Sequence, residues 1–93
     1  MEKEKHAIKL VILRKLIRMK KIGGAHTELK NLILKGLSNS LLANKKGKKI
    51  INKAIKDLIQ NGILLTKPST GEIHVSINPR KLKEINKLLS LNP

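Results

Sequence analysis

Apolar residues recur along this chain with two different periods, and the change of period marks a change of element. Between residues 6 and 22, Ile8, Val11, Ile12, Leu16 and Met19 fall three or four apart. Leu10, Leu13 and Ile17 widen that stripe, while Lys9, Arg14, Arg18 and Lys21 lie mostly opposite, which predicts an amphipathic helix over 6–22. Gly23-Gly24 is its expected stop, because glycine enters the left-handed conformation that closes a helix. A shorter second helix is predicted over 27–35, with Thr27 as N-cap, Glu28 in the first turn, and Leu29, Leu32 and Ile33 at helical spacing. Residues 37–44 mix turn formers, Ser38, Asn39 and Ser40, with two leucines, Leu41 and Leu42, able to tuck beneath them, and read as a connector.

The clearest pattern spans 45–61. Ile51, Ala54, Ile55 and Leu58 occupy i, i+3, i+4 and i+7, flanked by Ile50 and Ile59. At about 100° per residue, Lys45, Lys49, Lys53, Lys56 and Gln60 gather on the opposite face, with Asn52 at its edge. Asn61-Gly62 supplies a stop. The period then falls to two: Ile63 to Lys67 is β-prone, Pro68-Ser69-Thr70-Gly71 signals a turn, and Ile73, His74, Val75, Ser76 and Ile77 alternate apolar with polar. A β-hairpin over 63–77 follows. Asn78-Pro79 is a good helix start, and Leu82, Ile85, Leu88 and Leu89 predict a last helix over 79–91. The expected fold class is mostly α with a small β-hairpin (α+β), as one domain over 1–93.

Composition narrows what such a domain does. The chain has 21 Lys or Arg against 6 Asp or Glu, a formal +15, with 40% hydrophobic residues and no Phe, Trp, Tyr or Cys. Leu and Ile supply nearly all the hydrophobic volume, so a folded aliphatic core is expected and a disordered basic tail is not. The lack of cysteine removes disulfides, thiolate metal sites and a Cys nucleophile. No apolar run approaches the ~18 residues of a membrane span, and Lys9, Arg14 and Lys15 break the stretch a secretory signal needs. A cytoplasmic protein is therefore expected, nucleoid-associated where DNA is the partner. A charge of +15 on so small a body points to a polyanion, nucleic acid first. A membrane surface is disfavoured, because the basic helices commit their apolar faces to a core and carry no aromatic anchors.

Three helices, a two-stranded hairpin with a turn of small residues, and a closing helix make up the winged helix-turn-helix layout. Through Ala54 to Ile77, with the hairpin directly after Asn61-Gly62, the chain resembles the small winged-helix DNA-binding proteins common in archaea and bacteria. The resemblance implies that the third helix enters the major groove and that the hairpin, the wing, touches backbone or minor groove. Carried over by position, residues 45–60 and 67–72 take those roles. It further implies a transcriptional regulator or chromatin-type protein. Leu82, Ile85, Leu88, Leu89 and Leu91 either pack back on the first helix to complete a monomer core or form a dimer seam, and the resemblance favours a homodimer through the first and last helices, as terminal helices often pair in that family.

The residues alone lead to a compatible reading. A helix that is apolar inside and lysine-rich outside can hold phosphates through Lys45, Lys46, Lys48, Lys49, Lys53 and Lys56, with Lys67, Ser69 and Thr70 at the wing. Base readout needs forked partners, and only Asn52, Gln60 and Asn44 are on offer, so weak sequence preference is expected. Four lysines at a helix start oppose the helix dipole, which favours a functional anion contact over mere solubility. The cations of the first helix read equally well as solubilising charge. Absent aromatics disfavour base stacking on single strands. Two rivals remain: a structured-RNA or ribosome-associated protein held by phosphate and shape, and a protein-interaction winged helix. Scattered histidines, His26 and His74 among them, lack paired ligand spacing, and no nucleotide loop or Ser-His-Asp set occurs. No enzyme, metal or cofactor is expected.

Overall fold

The computed structural model describes residues 2–37 and 39–91, with the backbone alone at 41. Its elements run α1 (Glu2–Arg18), β1 (Thr27–Glu28), α2 (Leu29–Gly36), α3 (Asn39–Ala43), α4 (Lys45–Gln60), β2 (Leu64–Ser69), β3 (Glu72–Ile77), a 3-10 turn (Pro79–Lys81) and α5 (Leu82–Leu91). The class is α+β, with helices around a three-stranded antiparallel sheet of order β1-β3-β2.

Several boundaries differ from those the pattern predicts. The first helix covers 2–18 instead of 6–22. Glu2 and Glu4 stand in its first turn, where carboxylates favour a helix start. It stops before Gly23-Gly24: Lys20 takes a left-handed φ of 57°, its amide donates to Ile17 O at 3.0 Å, and the Lys21 amide donates to Leu16 O at 2.9 Å. That is a Schellman closure with lysine where glycine is usual. Gly23, also left-handed with φ 64°, works one step later, where its amide donates to Ile77 O at 2.9 Å.

Thr27 is not an N-cap. It pairs with Val75, and Glu28 with His74, to make β1, so the hairpin becomes the larger part of a three-stranded sheet. The second helix consequently covers 29–36, with Glu28 at its cap position and no side-chain cap bond. The connector after it is helical at Asn39–Ala43. Leu42 packs partly buried on the core, whereas Ser38 and the Leu41 side chain lie outside the described residues. The third helix ends one residue early, at Gln60, with the same closure as α1 but with Gly62 at the left-handed position, φ 73°. The last helix starts as a 3-10 turn: Asn78 Oδ1 accepts from the Arg80 amide at 3.1 Å, and Pro79 sits where no amide is needed.

One aliphatic cluster joins these elements. It contains Ile8, Ile12, Leu13 and Leu16 of α1, Leu32 of α2, Ile50, Ile51, Ala54, Ile55 and Leu58 of α4, Leu64 of β2, Val75 and Ile77 of β3, and Ile85 of α5. Truncating one such side chain to Ala costs about 2–5 kcal/mol, so the cluster fixes how α4 lies against the rest. Val11, counted in the apolar stripe by spacing, is exposed, while Lys9 points toward α4. The strict alternation of β3 also fails at both ends. Ile73 near the tip is 54% exposed, and Ser76 is buried because its hydroxyl donates to Gly23 O at 2.8 Å across the sheet edge.

Candidate nucleic-acid interface

The start of α4 is built by Asn44, whose side-chain oxygen accepts from the Lys46 amide at 2.8 Å. That bond satisfies one of the free amides of the first turn. It also withdraws Asn44 from base readout. Downstream, the apolar period turns Ile50, Ile51, Ala54, Ile55 and Leu58 inward and leaves Lys45, Lys46, Lys48, Lys49, Asn52, Lys53, Lys56 and Gln60 exposed. The eight residues form one helical face. Among the described residues none of its lysines takes part in an ion pair.

The one acid in α4, Asp57, is held away from that face. Lys5 Nζ lies 2.7 Å and Lys9 Nζ 3.3 Å from Asp57 Oδ2. Hydrogen bonds from Lys5 and then Lys9, with their positive charges, keep the carboxyl below the ordinary aspartate range, against the opposing effect of partial desolvation. The same contact raises Lys5 above its ordinary value. Asp57 is thus matched from α1, and its charge does not offset the lysine row.

The hairpin pairs Leu64 with Ile77, Thr66 with Val75, Lys67 with His74 and Ser69 with Glu72. Its two-residue turn has positive φ at both positions, 45° at Thr70 and 78° at Gly71, the type I′ pattern that suits hairpin twist. Pro68 lies inside β2 and is tolerated because β2 is a sheet edge. Lys67 and Thr70 are exposed and Ser69 is half-buried. Glu72 beside the turn offsets Lys67, so the tip has little net charge. No hydrogen bond or ion pair among the described residues ties Lys67, Ser69 or Thr70 to the α4 row; the two are separate contact points.

Two histidines far apart in sequence meet on the sheet. His26 Nδ1 and His74 Nδ1 are 2.8 Å apart, with the rings edge to face, and His74 Nε2 lies 3.5 Å from Glu72 Oε2. One ring must donate and the other accept, so protonating both would oppose two N–H groups. Partial burial, followed by the charges of Lys67, His74 and Lys21, holds His26 below the ordinary imidazole value. Linear spacing cannot reveal this pair, because it depends on the register of β1 against β3.

Among the described residues no group of three or more His, Asp or Glu is placed to hold a metal ion, and no helix is long and apolar enough to cross a membrane. No protein-family model, no curated protein and no solved structure matches the chain.

Proposed function

We propose that this chain is a non-catalytic binder of double-stranded DNA with a winged helix-turn-helix architecture, acting as a transcriptional regulator or chromatin-type protein with weak sequence preference. The observation that carries the reading is the exposed face of α4: Lys45, Lys46, Lys48, Lys49, Lys53 and Lys56 share one side of a rigid helix and none is paired with an acid among the described residues. An α-helix fits the major groove, and lysine ammoniums meet phosphates without reading bases. Asn52 and Gln60 on the same face can bond adenine edges, which limits sequence preference to a few positions.

Supporting this reading, the two-stranded hairpin of β2 and β3 follows α4 directly and a closing helix follows it, as the winged-helix layout expects, while β1 and α3 are additions to that layout. The tip supplies Lys67, Ser69 and Thr70 for the sugar-phosphate backbone. Pairing of two copies through α1 and α5 belongs to the same proposal. Ile85 is committed to the chain's own core, and Leu91, 71% exposed, is the apolar residue α5 leaves for a partner. A species of 10.4 kDa by light scattering at tens of micromolar would remove the dimer from the proposal.

Competition between random-sequence duplex DNA and folded RNA, at matched salt, tests the choice of partner. Preferential binding of the duplex supports the proposal. Preferential binding of folded RNA replaces it with the structured-RNA reading, since a lysine face can also hold an A-form backbone by shape and phosphate.

A further inference from the structure

A second cationic feature lies away from α4. Arg14, Lys15 and Arg18 of α1 and Lys35 near the end of α2 line one open cleft of about 290 Å³, floored by Val11 and Gly36. Arg14 and Arg18 lie about 140° and 180° around the helix from Lys9, so this row faces away from the side of α1 that meets Asp57. Among the described residues none of the four cations makes an ion pair. The acids are engaged elsewhere or stand apart: Glu2 and Asp57 pair with Lys5, Glu72 with His74 and Glu84 with Lys81.

Lysine and arginine in the last turn of a helix have an ordinary explanation, because they oppose the negative end of its dipole. That explanation is too small here. Each helix end carries about −0.5 elementary charge, so α1 and α2 together offset about one of the four positive charges. Arg14 adds an independent observation: its Nη2 is buried and has no hydrogen-bond acceptor in the protein. A buried guanidinium nitrogen without an acceptor is costly, so the Arg14 side chain gains by turning outward, and an oxyanion in the cleft it lines would give Nη2 the acceptor it lacks.

We propose that the Arg14–Lys15–Arg18–Lys35 cleft is a binding site for a compact phosphate anion, a terminal phosphate or a diphosphate. A site with about three uncompensated charges in so small a volume fits clustered negative charge better than the evenly spaced single charges of a phosphodiester strand. Arg14 supplies the planar fork that matches phosphate oxygens, and the lysines act as point charges around it. This site does not depend on the reading of α4.

The test is titration of the full chain with inorganic pyrophosphate at about 0.15 M salt, where exposed charges beyond ~8 Å are screened, followed by amide and Arg side-chain NMR. Shifts centred on α1 and α2 are expected. Arg14→Gln with Arg18→Gln should weaken pyrophosphate binding about tenfold or more, whereas Lys83→Gln with Lys87→Gln on α5 should change it less than about twofold. Equal losses in the two pairs, or no loss in the first, would overturn the site, because either result means a diffuse field and not a cleft. If Arg14→Gln impairs folding, Arg18→Gln with Lys35→Gln keeps Arg14 in place and gives the same comparison. Duplexes bearing 5′-phosphate or 5′-hydroxyl ends then separate the sources. Cleft-dependent preference for the phosphorylated end assigns the site to nucleic-acid termini, and dependence seen with pyrophosphate alone assigns it to a free phosphorylated ligand.

Discussion

Lys5 Nζ lies 2.7 Å from Asp57 Oδ2 and ties the first turns of α1 to the C-terminal half of α4. The bond joins the two main helices of the core and also neutralises the one acid of the lysine-bearing helix. Both consequences can be measured.

Because Asp57 is held below the ordinary carboxyl range of the unfolded chain, its contribution to stability is present above that range and is lost as pH falls through its folded value, under about 3.8. Lys5, raised above 10.5, contributes below its unfolded value and loses that contribution as pH climbs through the raised one. Asp57→Asn should therefore flatten the acid limb of a stability-versus-pH curve measured by urea unfolding. It should also free Lys5 and Lys9, making the logarithmic salt slope of duplex binding more negative by up to about 0.9 for each new phosphate contact.

The His26–His74 contact predicts a separate acid effect nearer neutrality. His26 titrates below its unfolded value, so its contribution is present above about 6.5 and is lost as pH falls from there toward the folded value. Lys21, Lys67, His74 and Glu72 set its surroundings. His26→Leu should remove the part of the pH 5–7 slope in melting temperature that the wild-type chain shows. An unchanged slope would place the effect elsewhere.

Backbone conformation yields a third prediction. Lys20 and Thr70 adopt left-handed φ values of 57° and 45°, which cost a residue with a Cβ about 1 kcal/mol, and Thr70 is β-branched. Lys20→Gly and Thr70→Gly relieve that strain and should each stabilise the fold by up to about 0.5 kcal/mol in urea denaturation, the extra glycine entropy of the unfolded chain offsetting the rest. Gly62 occupies the position in α4 that Lys20 occupies in α1, so Gly62→Ala should destabilise by a similar amount.

These cases show which features are legible in the sequence. The α4 stripe and its lysine face are, because a helix imposes a fixed period and Ile51, Ala54, Ile55 and Leu58 keep it without interruption. The hairpin is legible from its β-prone runs and the turn signal of Pro68 to Gly71, although the alternation of β3 does not carry through to burial. What depends on contacts distant in sequence is not. β1 is two residues long and exists only because Thr27 and Glu28 meet Val75 and His74. The Lys5–Asp57 bond and the histidine pair need the packing of α1 on α4 and the β1 register. The stop of α1 is not legible because a lysine closes it, whereas glycine is the residue that signals such a closure. Within the candidate site, Lys45 to Gln60 form one face, but the loss of Asn44 to capping shows only in the geometry.

The central claim, that the unpaired lysine face of α4 grips nucleic-acid phosphates, is tested most directly by the salt dependence of binding to a random-sequence duplex. With the six lysines of α4 meeting phosphates, the slope of log K against log salt should be about −5, extending toward about −7 if two further cations such as Lys67 join them, and Lys49→Gln with Lys53→Gln should reduce its magnitude by about 2 without altering the fold. A slope near zero, or one that this double substitution leaves unchanged, would contradict the account.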